Sequence, residues 1–123
     1  MLRFFLFCIM DIDQLRDICL QLPAVTEDIK WGHDLAFSVG EKMFCVAGLE
    51  SPFKCTLKVQ DEEFEELCNR QGIMPAPYLA RAKWIQIDNS AKLSKKSWEE
   101  LILNSYEMIK GKLTKKQKND LGI

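Results

Sequence analysis

The sequence predicts a two-layer α+β domain in which an antiparallel sheet is covered on one side by three helices. Three observations lead there. The stretches "DLAFSVGEKMFCVAGL" and "SPFKCTLKV" carry the apolar patterning of strands joined by short turns. Three other stretches repeat their apolar residues at helical spacing. The helices are grouped rather than alternating with the strands, which favours hairpins over parallel crossovers.

The first helix spans roughly residues 11 to 22, with Leu15, Ile18, Cys19 and Leu22 on one stripe and Pro23 as its stop. Asp11 is its N-cap, and Gln14 three positions on makes a variant of the capping box. In the next stretch Leu35, Phe37 and Val39 share a face, Gly40-Glu41 forms a tight turn, and "KMFCVAGL" is apolar on both faces. That second strand therefore lies well inside the sheet. In the following strand Phe53, Cys55, Leu57 and Val59 point inward, which leaves Lys54, Thr56 and Lys58 on an uncovered face.

Asp61 caps a second helix with Glu62 and Glu63 in its first turn and Phe64, Leu67 and Cys68 as its buried stripe, ending near residues 69 to 72. "KWIQID" reads as a strand with Lys83, Ile85 and Ile87 on one side and Trp84, Gln86 and Asp88 on the other. A last helix starts at Ser94 or Ser97, runs through Trp98, Leu101, Ile102, Ser105, Met108 and Ile109, and meets a C-cap at Gly111. The expected order is helix, about three strands, helix, one or two strands, helix.

At 123 residues the chain is one domain's worth, 47% hydrophobic and 28% charged. A net charge of −1 and a pI near 5.9 remove any whole-molecule attraction to nucleic acid or anionic lipid, so only a local patch could hold a polyanion. Five cysteines, odd in number and never spaced C-x-x-C, read as reduced thiols in a cytoplasm and not as a disulfide framework or zinc site. The opening "MLRFFLFCIM" is too short to span a membrane. Because "MDIDQL" brings a fresh methionine and a helix cap, residues 1–9 read as an upstream-read extension or an added strand. Residues 10–113 form the single domain and residues 114–123 a basic tail.

Groups that would carry catalysis are sparse. His33-Asp34 has the composition of a base with its orienting carboxylate, but neighbours in a strand point to opposite sides, so His33 reads as a turn residue. Nucleotide loops and nucleophile elbows are missing, and one histidine with dispersed cysteines is not expected to hold a metal. No enzyme and no cofactor is expected. The acids of residues 61–66 suit a solvated helix start, and the lysines from Lys110 to Lys118 a solubilising end or a polyanion contact.

The decapeptide "PAPYLARAKW" is the most distinctive stretch. Pro75 and Pro77 stiffen the approach to the strand, which lowers the entropy lost in holding Tyr78 and Arg81 in place. Tyr78 and Trp84 suit half-buried wedges or base-stacking platforms, and Arg81 offers a directed donor fork.

"LPAVTEDIKWGHDLAFSVGEKMFCV", "PAPYLARAKW" and "NSYEMIKGKLTKK" together resemble the MmcQ/YjbR family of small bacterial proteins, over about residues 11–116. The resemblance implies a compact α+β fold with three helices, similar in shape to the secretion-chaperone fold, and a "double wing" like that of a phage transcription factor. It also implies DNA binding, since members are commonly called DNA-binding proteins. Residue by residue, it implies that Leu22-Pro23 closes the first helix and that Trp31-Gly32 opens the sheet. Pro75, Tyr78, Arg81 and Trp84 match its most recognisable block, and Ser105-Tyr106 its final helix. Where many relatives have two glycines in the hairpin, this chain has Gly40-Glu41, which sets a carboxylate at a wing tip.

The leading functional expectation is a cytoplasmic DNA-binding protein that grips phosphates non-specifically or by shape. Its binding residues would be Lys42, Lys54, Lys58, Tyr78, Arg81, Lys83 and Trp84, gathered on the open face and its rims. The alternative is a protein-interaction module, chaperone-like or dimerising, with an apolar surface on the sheet. A contiguous exposed apolar area favours the second, a continuous basic stripe the first. No membrane partner is expected.

Overall fold

Helix α1 (Ile12–Leu20) forms because Asp11 caps it, its carboxylate accepting from the Gln14 N–H at 2.8 Å, and because Leu15 and Cys19 bury one stripe. The structure, a computed structural model, describes residues 8–123. The expectation for residues 1–9 thus falls mostly outside the described residues. Cys8 donates its N–H to Leu93 O at 2.7 Å, and the Asn89 side chain accepts from Met10 N–H and donates to Met10 O. Met10 is buried.

Six strands follow: β1 (Val25–Lys30), β2 (Asp34–Val39), β3 (Lys42–Gly48), β4 (Lys54–Lys58), β5 (Ile73–Pro75) and β6 (Trp84–Asp88). They form one antiparallel sheet in the order β1-β2-β3-β4-β6-β5. Helix α2 (Asp61–Cys68) lies between β4 and β5, a short 3-10 helix (Ala80–Ala82) precedes β6, and α3 (Lys95–Lys110) and α4 (Lys115–Leu121) follow it. The fold is α+β.

β1 departs from the expectation that the sheet opens at Trp31-Gly32. Those residues instead form the β1–β2 turn, with φ of 54° and 79°, and the sheet opens at Val25. Sequence patterning hides this strand because "VTEDIK" carries Glu27 and Asp28, which strands disfavour, and is largely exposed at a sheet edge. Glu27 is held instead by a two-pronged contact from Arg16 of α1, at 2.8 and 2.7 Å. Within the basic tail of residues 114–123, α4 forms. Thr114 and Gln117 complete a reciprocal capping box that starts α4, and Lys116 pairs with Asp120 at 2.9 Å.

One sheet face carries the core. Phe37, Cys45, Cys55, Leu57, Ile85 and Ile87 pack against Trp98, Ile102, Tyr106 and Ile109 of α3. Ser105, a buried polar residue, bridges two strands to this helix by donating to Phe44 O at 2.6 Å and accepting from the Lys58 N–H at 3.0 Å. Tyr106 lies edge-on to Phe44 and donates its hydroxyl to Pro23 O at 2.6 Å, tying the exit of α1 to α3. The β2–β3 turn needs glycine at residue 40, where φ is +58° and a Cβ would stand 2.6 Å from Leu113 Cδ2. Among the described residues, α3 packs on the core face of the sheet and no α-helix crosses the middle of the other.

Candidate functional site

The uncovered face is built by alternation. Because Cys55, Leu57, Ile85 and Ile87 turn to the helices, Thr56 and Gln86 stand opposite one another on the far side, with Val46 beside Thr56 and Ala36 beyond it. Over this floor lies a groove of about 490 Å³ lined by Trp31, Asp34, Met43, Val46, Thr56, Pro77, Tyr78, Leu79 and Gln86. Trp31 forms one wall from the β1–β2 turn, and Tyr78 the other from the proline-stiffened loop.

Both walls are strained and exposed. Trp31 has φ of 54° and Tyr78 of 68°, a region that bulky side chains rarely enter. Each non-glycine residue held there costs about 1–2 kcal/mol. Trp31 is 66% exposed and Tyr78 fully exposed, so packing of the rings does not account for the strain.

Polar groups sit in the floor. Asp34 Oδ1 lies 3.2 Å from His33 Nδ1, which corrects the expectation that these two side chains diverge. His33 belongs to the turn, where the alternation of a strand does not apply, and its N–H donates to Lys30 O. Lys30, the cross-strand neighbour of Asp34, places its ammonium 3.3 Å from Asp28. Gln86 directs Nε2 toward Met74 Sδ at 3.5 Å. Among the described residues, no lysine or arginine lines the groove.

The residues expected to bind phosphate distribute differently. Lys42 at the start of β3, Lys58 at the end of β4 and Lys83 just before β6 share one rim of the sheet. Burial lowers the pKa of the Lys58 ammonium, and repulsion from Lys112 and Lys83 adds to this against the pull of Asp61, so several cations converge there. Lys58 donates Nζ to the Ala82 carbonyl, and Lys83 Nζ lies 4.9 Å from the Phe64 ring centroid, toward the helices. Arg81 is exposed in the 3-10 helix. Lys54 is at the other end of β4, opposite Asp88. The Asp88 carboxyl is held below its usual range by the Ser90 hydroxyl and N–H, with a smaller pull from Lys54. Trp84 is only 7% exposed. The seven residues therefore do not form one ridge: four gather at or near a rim, Lys54 stands apart, Trp84 is buried and Tyr78 walls the groove.

Sequence patterning missed Trp31, Asp34, Met43 and Val46 as groove residues. The available signal was a tryptophan beside a glycine, and the outward parity already assigned to Thr56. Elsewhere the chemistry is quiet. Cys45 Sγ sits 3.4 Å from Cys55 Sγ, and contact with the Cys19 and Cys55 thiols, together with burial, holds the Cys45 thiol well above its usual range. It stays protonated and unreactive. Among the described residues, no group of three or more His, Cys, Asp or Glu side chains is arranged to hold a metal ion, and no helix is long and apolar enough to cross a membrane.

Comparison with known proteins places this architecture. The chain is similar to a Deinococcus radiodurans protein, DR2400, described as having a DUF419 domain. The identity is 27%, the match covers 94% of this chain and 90% of that one, and the TM-score is 0.84. A Pseudomonas syringae protein shares the fold at 22% identity, covering 81% of this chain and 99% of that one, with a TM-score of 0.69. No curated protein matches the chain. The YjbR family model matches residues 20–108, all six strands and the first four turns of α3 included, and the chain belongs to the YjbR family.

Proposed function

We propose that the chain is a non-catalytic binding module that takes an extended segment of a partner protein into the groove on its open sheet face. The observation that carries this reading is the pair of walls. Trp31 and Tyr78 are both non-glycine residues in left-handed backbone, both project into solvent, and both border the same groove. Strain of this kind persists where the surrounding structure holds it, and it concentrates at binding sites. A groove whose lining includes Met43, Val46 and Leu79 suits apolar and aliphatic contact better than phosphate. The free thiols fit a reducing compartment, so the cytoplasm is the expected location.

The test is panning a displayed random-peptide library against the wild-type chain and against Val46→Glu and Tyr78→Ser variants. Sequences enriched by the wild type and lost with both folded variants support the reading. Equal enrichment by all three, or none by the wild type, contradicts it. A dimer that these variants dissociate would make the partner a second copy.

A second reading, non-specific DNA binding, is favoured by the convergence of Lys58, Lys83 and Lys112 at the rim. On that reading Lys42 and Arg81 extend the contact, affinity falls steeply with salt, and Arg81→Ala weakens binding to all sequences alike. Undetectable binding to labelled duplex at low salt would remove it.

A further inference from the structure

We infer that the groove seats an arginine side chain of the partner segment, with its guanidinium against Asp34 and its stem along Met43 and Val46. This rests on the open-face groove being the working surface and adds the chemistry of its occupant. The lining combines aromatic walls, aliphatic side chains and one carboxylate, and among the described residues no cationic side chain is there to compete. Aromatic faces attract cations through their quadrupole, and a planar guanidinium can stack on a ring while donating to an acid. The Asp34 carboxylate is 28% exposed, so it is reachable yet partly desolvated, which strengthens a charge-assisted bond.

The nearby cation that could neutralise Asp34 is engaged elsewhere, since Lys30 lies 3.3 Å from Asp28. Its close partner is His33, itself exposed and therefore displaceable by a better donor. Gln86 also lines the groove, and its side-chain carbonyl is an acceptor suited to a guanidinium donor. An aliphatic stem ending in a delocalised cation satisfies floor, walls and acid together, whereas a carboxylate or phosphate would face Asp34.

The experiment uses three capped tripeptides, alanine-X-alanine with X as arginine, citrulline or norleucine, titrated into the full 15N-labelled chain. The reporter is the Trp31 indole N–H resonance, since Trp84 and Trp98 are buried. The arginine peptide is expected to bind at least about tenfold more tightly than the citrulline peptide, and Asp34→Asn to erase that difference. Added salt should weaken the arginine peptide alone. Norleucine binding as tightly as arginine overturns the inference and leaves the groove as a docking site. Silence from all three peptides, in a chain whose groove accepts library peptides, overturns it as well. A groove that accepts neither set overturns both readings.

Discussion

Replacing Tyr78 with glycine separates what holds the fold together from what the fold presents. Tyr78 sits at φ 68° with its side chain fully exposed, so its removal uncovers no packed surface. Glycine occupies left-handed backbone freely, which releases about 1–2 kcal/mol of strain. Against this, glycine gives the unfolded chain more freedom, which returns about 0.5–1 kcal/mol. The expected net effect is a chain as stable as the wild type or up to about 1.5 kcal/mol more stable, the upper end being a rise of roughly 5–7 °C in Tm. Urea unfolding followed by far-UV circular dichroism measures this, and Tyr78→Ala, which keeps the strain, should be the less stable of the two variants. Groove binding should be lost in both. If Tyr78→Gly were destabilised by more than about 1 kcal/mol, the ring would have a packing role and the reasoning from strain to function would fail.

Ser105→Ala should destabilise the chain by about 2–4 kcal/mol in the same urea assay, because it strands the Phe44 carbonyl and the Lys58 N–H at one stroke. Gly40→Ala is expected to lose about 1–3 kcal/mol through left-handed strain and the clash with Leu113 Cδ2, read as a fall in the urea midpoint. For Glu27, the hydrogen bond from Arg16 lowers the carboxyl pKa below its ordinary value of 4.5. Its stabilising effect is complete above that ordinary value and disappears as pH falls through the lowered one. The stability difference between wild type and Glu27→Gln should therefore shrink on acidification below about pH 4.5, as urea midpoints across that range would show.

Much of the fold was legible because local chemistry and burial agree there. Asp11 caps α1 as its sequence position suggests, β4 alternates as written, and α3 begins at its Ser94 cap. β1 was hidden because an edge strand half open to water carries no apolar alternation, and its Glu27 is satisfied by an arginine of α1 and not by the sheet. α4 was hidden because its signal is a capping box on a lysine-rich stretch with no buried residue. The decapeptide was recognisable as special, yet its parts play different roles. Trp84 is buried, the Ala82 carbonyl accepts from Lys58 Nζ of β4, and Tyr78 is fully exposed. The opposite wall, Trp31, lies 47 positions earlier in the chain, and nothing local to either residue announces that the sheet brings both to one groove.

Amide chemical-shift mapping with a peptide enriched by the library tests the working surface most directly. The groove account expects saturable shifts at Trp31, Asp34, Met43, Val46, Thr56, Tyr78, Leu79 and Gln86, with the lysine rim unmoved. Shifts confined to Lys42, Lys58, Lys83 and Lys112, or spread over the helical face, would contradict it.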